Sequence, residues 1–527
     1  MKDTNNRSTK RSKGFSVYDH ILPEIKTWPI YQLSNRRDEV VREVTEHAYK
    51  SLSEQYEGKE ARLLARTIYL EKIRVKANPW KADPANESAY WRRTENEFTK
   101  ILPGDPIKQE LELSILKRLI NRYSEEIVGS FNVKTFLFAR RFLTAFFSRL
   151  LNTARGRNIY RIFGSKYRLQ QRIKVHGSIE EVRSLFNKGT VVMLPTHFSN
   201  LDSILIGYAI DAVMGLPSFS YGAGLNLYDS EIISYFMNRL GAYRVDRRKK
   251  NPVYLETLKS FSNVSIMHGT NSIFFPGGTR SRNGCLEESL KMGLLNTLVQ
   301  SQRNLLQQGS KKKIIVVPVI LGYHFVLEAD QLINQFLRKS GEEKYIGERS
   351  KPIKMRELFK FIWKAFSESS EIHVTVGKPM DVFGNRLDSD GRSLDANKKP
   401  VDIAEYFLLD GTITKDKQRE NVYTRQLADK VSDSYHRENR VLTSHMVAIA
   451  AFELLKEEYP ELDVFGIIRL PEEHHVFDSE DFEEIMSRLQ VSLFDMEEEK
   501  KIVLTEECRG PIKEVISDGM ANLGIYH

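Results

Sequence analysis

The sequence predicts an α/β fold: a central mixed sheet with flanking helices, plus a helical N-terminal region and a mainly helical C-terminal region. Three observations predict it. Between residues 131 and 400, short β-branched runs alternate with amphipathic segments, the pattern of strands joined by helical crossings. Ahead of that stretch, long charged segments carry apolar residues at helical spacing. Behind it, the polar loop GNRLDSDGRSLDANKKP at 384–400 leads into another segment of helical period.

Taken in order, 1–130 reads as the helical N-terminal region. RDEVVREVTEHAYKSLSEQ and KQELELSILKRLINRYSEEI are its clearest helices, and prolines 79, 84, 103 and 106 mark its loops. Residues 131–400 read as the α/β domain, whose strand candidates are RIKVHG, TVVMLP, AYRVD, NSIFFP, KIIVVPVILGY and EIHVTVGKP. The domain opens with VKTFLFARRFLTAFFSRLL, a helix with a broad aromatic and leucine face. From Val133 to Val175 there are eleven Lys or Arg and no Asp or Glu. That is the pattern of an interfacial helix, so a membrane surface bearing anionic lipids is the expected partner, with Arg140 and Arg141 among the attracting charges. Residues 401–527 read as the C-terminal region, in which RQLADKVSDSYHRENRVLTSHMVAIAAFELLKEE is helical.

Composition narrows the function. A chain of 527 residues with 41% hydrophobic content can bury a sizeable core. The net charge of +9 is modest, and no recognised nucleic-acid module accompanies it, so no nucleic-acid partner is expected. Cys285 and Cys508 are too few for a disulfide framework and lack metal-site spacing, which fits a reducing compartment. The start MKDTNNRSTKRSKG is basic and polar without an apolar signal core, and no run reaches the roughly 18 apolar residues of a spanning helix. A cytoplasmic protein, peripherally associated with the inner face of the membrane, is expected. No metal is expected either: His474 and His475 have acidic neighbours, but adjacent side chains point in different directions.

The chemistry-bearing segments all follow strand candidates. LPTHFSNLDSILIGYAI (194–210) holds His197 and Asp202, GAYRVDRR (241–248) holds Arg247, and FFPGGTRSRNG (274–284) holds Gly278, Thr279, Arg280 and Arg282. VVPVILGYH (316–324) reads as a further buried strand, lining the pocket rather than reacting. A histidine has about a one in twenty chance of an Asp five residues on, so the pair alone is weak. In isolation, Ser199, Asn200 and Asp202 also read as turn and cap residues. The order of the four segments is what suggests a site, because ligands of open α/β sheets bind at the carboxyl ends of strands. An imidazole there suits general-base catalysis on an alcohol, with Asp202 taking the Nδ1 hydrogen and leaving Nε2 as the base. Guanidinium groups at Arg247, Arg280 and Arg282 suit a phosphate, and Lys291 offers a further point charge. The Gly277–Gly278–Thr279 turn lets backbone N–H groups approach an anion. No nucleophile elbow of the form Gly-x-Ser-x-Gly is present, which favours direct attack by the acceptor alcohol.

These segments resemble the glycerolipid acyltransferase superfamily, whose members share His-x4-Asp, Gly-x-x-x-Ile/Val-x-Arg, Phe-Pro-Glu-Gly-Thr-Arg-Ser and a Val-Pro-Val strand. The matches are His197 to Asp202, Gly241 to Arg247, Phe275 to Arg282 and Val317 to Val319. GKPM at 377–380 resembles the family's strand-ending Gly-x-Pro, and the recognisable core runs from roughly 170 to 380. VLTSHMVAIAAFELL and ANLGIYH resemble, more loosely, the extra region of the larger glycerol-3-phosphate and dihydroxyacetone-phosphate acyltransferases. The resemblance implies that His197 is the base, that Asp202 orients it, and that Arg247 and Arg280 bind the acceptor's phosphate. It further implies transfer of a fatty acyl group to glycerol 3-phosphate, giving lysophosphatidate. Acyl-CoA or acyl-carrier protein is then the acyl thioester donor and co-substrate, with no other cofactor. Other readings are a lysophosphatidate or related lipid-alcohol acyltransferase, and a non-catalytic membrane-associated phosphate or lipid binder. One position departs from the pattern: Gly277 stands where the family has Glu, whose carboxylate helps place the polyol acceptor.

Overall fold

The computed structural model describes residues 18–80, 83–100, 108–152, 173–199, 201–228, 231–326, 329–340, 371–468, 470–474 and 476–523. The basic N-terminal tail, Pro103, Pro106, Asn200, His475 and the last four residues lie outside them.

The central sheet has seven strands in the order β1-β7-β6-β2-β5-β3-β4. They are β1 (Ile173–Gly177), β2 (Gly189–Pro195), β3 (Ser220–Gly224), β4 (Ala242–Val245), β5 (Ser272–Ile273), β6 (Lys313–Tyr323) and β7 (Ile372–Val376). Strands β2 to β6 run parallel, while β7 pairs antiparallel to β6 and parallel to β1. The sheet is therefore mixed, as the sequence predicts. Its long central pair aligns Gly189 to Pro195 of β2 with Lys313 to Val319 of β6.

Continuous branched runs make these two strands because both of their faces are covered. On one face Val191, Met193, Ile315, Val317 and Val319 pack with the helices Ile179–Leu185 and Asp202–Tyr208. On the other, Val192, Leu194, Ile314, Val316 and Ile320 pack with Met292–Gln307 and Lys417–Arg437. Five sheet residues on each face alternate along the strands, as a period of two requires.

The sequence predicts six of these strands and misses β3. Its SYGAG has no β-branched residue and two glycines, so local propensity argues for a turn. Gly222 is there because the ring of Tyr243 on neighbouring β4 covers it; a Cβ would lie 3.1 Å from the ring's Cζ and hydroxyl.

Among the described residues ahead of the sheet, helices lie at Pro29–Asn35, Arg37–Gln55, Glu60–Ala77, Glu87–Thr99, Lys108–Ile127 and Val133–Asn152. The second to the fifth share a core with Tyr243 and the helix Pro252–Met267. That helix starts at Asn251, whose side chain accepts from Tyr254 N–H at 2.8 Å, with Pro252 at its first position. Beyond the sheet, Thr443–Glu458, Ser479–Glu498 and Ile512–Asn522 form a further core of their own around Met446, Met486 and Val515.

In the described part of the Val133–Asn152 helix, Arg140 departs from its sequence reading. Arg140 turns inward and pairs with the buried Asp211, which His20 also reaches at 3.3 Å. Burying Asp211 without a cation would cost several kcal/mol, so Arg140 is committed to the interior. Arg141, Phe138 and Phe142 remain exposed, and the two phenylalanine rings stack with centroids 6.4 Å apart. The side chains of Phe146 and Phe147 lie outside the described ones. No helix among the described residues is long and apolar enough to cross a membrane.

Candidate active site

Because β2, β5 and β6 are neighbours running the same way, the segments leaving their carboxyl ends meet at one edge of the sheet. His197 lies two residues past β2, Phe275 two past β5, and Tyr323 ends β6. Arg247 follows β4 on the same edge, three strands from β2 in the sheet.

His197 Nδ1 lies 2.7 Å from Asp202 Oδ2, the geometry in which a carboxylate accepts the Nδ1 hydrogen and Nε2 is the nitrogen left to act as a base. The same Oδ2 accepts from the N–H groups of Phe198 and Ser199 at 2.7 and 2.9 Å, and Oδ1 accepts from the Tyr323 hydroxyl at 2.6 Å. Asp202 is fully buried, and these four bonds are what make a buried carboxylate tolerable. The imidazole stacks on Phe275 at 4.1 Å between centroids, which fixes its plane. Ser199 is buried in the turn, where its hydroxyl accepts from Leu201 N–H at 3.1 Å.

The third segment holds the first by its main chain. Ser281 N–H donates to His197 C=O at 2.7 Å, and Glu287 Oε1 accepts from His197 N–H at 3.1 Å. Gly278 adopts φ +77, and its N–H closes the turn onto Phe275 C=O at 3.0 Å rather than facing an anion. Thr279 is exposed, and Arg280 and Arg282 are half-buried. Lys291 caps the Met292–Gln307 helix, and its stem lies beside Gly278, where a Cβ would meet its Cγ at 3.1 Å. Its N–H donates to Pro276 C=O at 2.7 Å, so the chain turns back toward the site.

Arg247 reaches solvent, yet the protein around it and the positive charge of Arg280 lower its guanidinium pKa. The two predicted phosphate ligands thus feel one another across the sheet edge, and an anion between them would relieve the repulsion. Arg248 is different in kind. It bonds Asp246 Oδ2 at 2.8 Å and Asp83 Oδ1 at 2.6 Å, tying the arginine turn to the N-terminal helices.

Two residues of the site escape the sequence reading. Tyr323 lies in a strand read as mere lining; its signal is a polar aromatic at the carboxyl end of an otherwise apolar run. Glu287 has no motif around it, and only the tertiary fold brings it to His197. Elsewhere, His474 Nδ1 contacts the Tyr459 hydroxyl at 2.7 Å. A cleft lined by His47, Glu256, Arg303 and Glu420 lies on other elements and shares no residue with this site.

Residues 172–322 match the Acyltransferase family model, a span that contains the first three segments and Val316 to Gly322 of the fourth. A glycerol-3-phosphate acyltransferase of Aeromonas hydrophila subsp. hydrophila is 27% identical over 259 residues. The alignment covers 47% of this chain and 28% of that protein, so the chain matches well under two thirds of its relative's length. Through residues 172–322, the chain carries a domain that matches the Acyltransferase family, and this supports the glycerolipid acyltransferase superfamily that its motifs resemble.

Proposed function

We propose that this protein transfers a fatty acyl group from a thioester of CoA or acyl-carrier protein to glycerol 3-phosphate, forming lysophosphatidate. The observation that carries the reading is the imidazole bonded to Asp202, itself held by the Tyr323 hydroxyl, on the sheet edge where the segments bearing Arg247 and Arg280 leave their strands. In this reading Arg247 and Arg280 hold the phosphate, with Arg282, Lys291 and the Gly278–Thr279 turn around them. His197 Nε2 takes the proton of the acceptor hydroxyl as its oxygen attacks the thioester carbonyl. Asp202 stabilises the imidazolium that forms. Collapse of the tetrahedral adduct expels the thiolate, which takes the proton back from His197, leaving an ester and a free thiol.

Docking to a membrane surface with anionic lipids belongs to the same proposal. Phe138 and Phe142 stand out from the Val133–Asn152 helix with Arg141 beside them, at the start of a basic run free of carboxylates. An enzyme whose donor or product carries a long acyl chain gains from such a surface.

The test is transfer of labelled acyl groups from both donors to glycerol 3-phosphate, with dihydroxyacetone phosphate and lysophosphatidate alongside. His197→Ala should lower the rate by about 10²- to 10⁴-fold. Turnover that survives the substitution would remove His197 as the base. Ligand binding without turnover in the wild type would make the chain a non-catalytic phosphate or lipid binder. Faster transfer to lysophosphatidate than to glycerol 3-phosphate would assign the altered acceptor that Gly277 allows.

A further inference from the structure

Gly277 stands at a position where the resemblance leads one to expect a carboxylate, and its surroundings show what fills the space. A Cβ built there would lie 2.7 Å from Glu287 Cγ and 2.8 Å from its Oε1. The Glu287 side chain therefore occupies the volume that a side chain at 277 would need. Its Oε1 accepts from His197 N–H at 3.1 Å, while Ser281 N–H holds His197 C=O at 2.7 Å. Both peptide groups flanking the His197 side chain are thus pinned by one loop. That loop is anchored in turn by Ser432 Oγ, which donates to Glu287 C=O at 2.9 Å.

We propose that Glu287 places, from ten residues downstream, a carboxylate in the space a side chain at 277 would take, and that there it is a positioning residue for His197 rather than a ligand of the acceptor. The inference rests on reading the chain as an acyltransferase. Glu287 Oε2 supports it, because this oxygen is shut off from water and has no hydrogen-bond partner among the described residues. Burial pushes the carboxyl up to about 7, with the Asp202 charge adding to the rise. A side chain selected only to tie a loop down would not keep such an oxygen, since a buried unsatisfied acceptor opposes folding. The arrangement makes sense if the carboxyl is retained for what it does to His197. A small displacement of the imidazole is enough to slow transfer strongly.

The experiment compares kcat and KM for glycerol 3-phosphate in the wild type, Glu287→Ala, Glu287→Gln and the exchange variant carrying Gly277→Glu with Glu287→Ala. We expect Glu287→Ala to lower kcat about 10- to 100-fold while KM changes less than about threefold, the split of a group that positions the base rather than binding the acceptor. Glu287→Gln keeps an acceptor oxygen for His197 N–H and should retain most of the rate. The exchange variant should recover most of what Glu287→Ala loses. Melting temperatures give a readout independent of turnover. Gly277→Ala should destabilise the wild type but do so far less in the Glu287→Ala background, because the clash is then gone. Additive melting shifts, or transfer unaffected by Glu287→Ala, would overturn this role alone. Absence of His197-dependent transfer to every acceptor would overturn the functional reading and this role with it.

Discussion

Asp202 meets four donors, and the Tyr323 hydroxyl is the one that comes from another strand. Removing it leaves Oδ1 buried with one fewer donor, which makes the carboxylate less able to balance a positive imidazole. Tyr323→Phe should therefore lower kcat about 10- to 100-fold, the worth of one hydrogen bond to a charged group, with KM for the acceptor unchanged. Asp202→Asn should cost on the order of 10³-fold or more, because an amide N–H facing Nδ1 favours the wrong tautomer. Both are read from steady-state kinetics on protein of wild-type melting temperature. Glu287 adds a stability signature. Its folded pKa of about 7 lies above the ordinary carboxyl value of 4.5, so the folded state binds more protons between these limits. Stability from this group is complete at low pH and declines as pH rises from 4.5 through 7. Glu287→Gln should remove that decline, so the melting-temperature difference between variant and wild type should grow up to about pH 7 and then level off. A pH-independent difference would mean that Glu287 ionises as an ordinary surface carboxylate.

At the scale of elements, the turn after β4 is aimed by residues that are themselves not at the site. Arg248 bridges Asp246 and Asp83, Lys249 lies over the Tyr123 ring at 5.1 Å, and Asn251 Nδ2 donates to Glu71 at 2.7 Å. The helices before the sheet thereby hold the loop that presents Arg247. Arg248→Ala should destabilise the fold by about 3 kcal/mol, the cost of stranding buried carboxylates, and raise KM for the phosphorylated acceptor. Chemical denaturation and steady-state kinetics check the two halves. On the opposite edge of the sheet, His176 of β1 and His373 of β7 stack at 5.2 Å with ring nitrogens 3.1 Å apart. His324 lies beyond β6 and contacts Ser444 at 2.9 Å. Burial lowers their pKa values to about 4, 3 and 4 for His176, His373 and His324, with neighbouring cations and histidines contributing. Their unfolded values are near 6.5, so the unfolded chain takes up more protons between these limits. The stability they contribute is present above 6.5 and is lost as pH falls toward 4. Melting temperature should fall across that window, and His373→Gln should flatten the fall.

At the scale of the whole molecule, the charge of +9 matters less than where the exposed basic and aromatic residues sit. Arg141, Phe138 and Phe142 share the outer side of one helix, whereas Arg140 is locked to Asp211. Each basic residue near an anionic surface is worth about 1 kcal/mol, and buried aromatic area adds to it. Arg141→Glu combined with Phe138→Ser and Phe142→Ser should weaken sedimentation with anionic vesicles, more so at low salt than at high salt. Arg140→Glu should instead lower the melting temperature by opposing Asp211. Vesicle binding unchanged by the triple variant would place any docking surface elsewhere.

Much of this molecule was legible in its residues. Alternating branched runs and helical-period segments announced the mixed sheet, because strand and helix periodicities are local properties of the chain. His197 and Asp202 were legible for the same reason: a five-residue spacing lets one turn close the bond between them. Arg247 and Arg280 were legible as residues that follow strands, but only the parallel order of β2 to β6 put them on one edge. β3 was missed because its Gly222 answers to the Tyr243 ring and not to its own neighbours in the chain. Arg140 looked like its neighbour Arg141 until the position of Asp211 separated them. Tyr323 and Glu287 reach the site from 121 and 85 residues beyond Asp202 and carry no spacing signal. The sequence by itself determined the elements and the chemistry on offer. Which carboxylates and hydroxyls surround the imidazole was decided by strand order and loop packing, since long-range contacts are set by the whole fold.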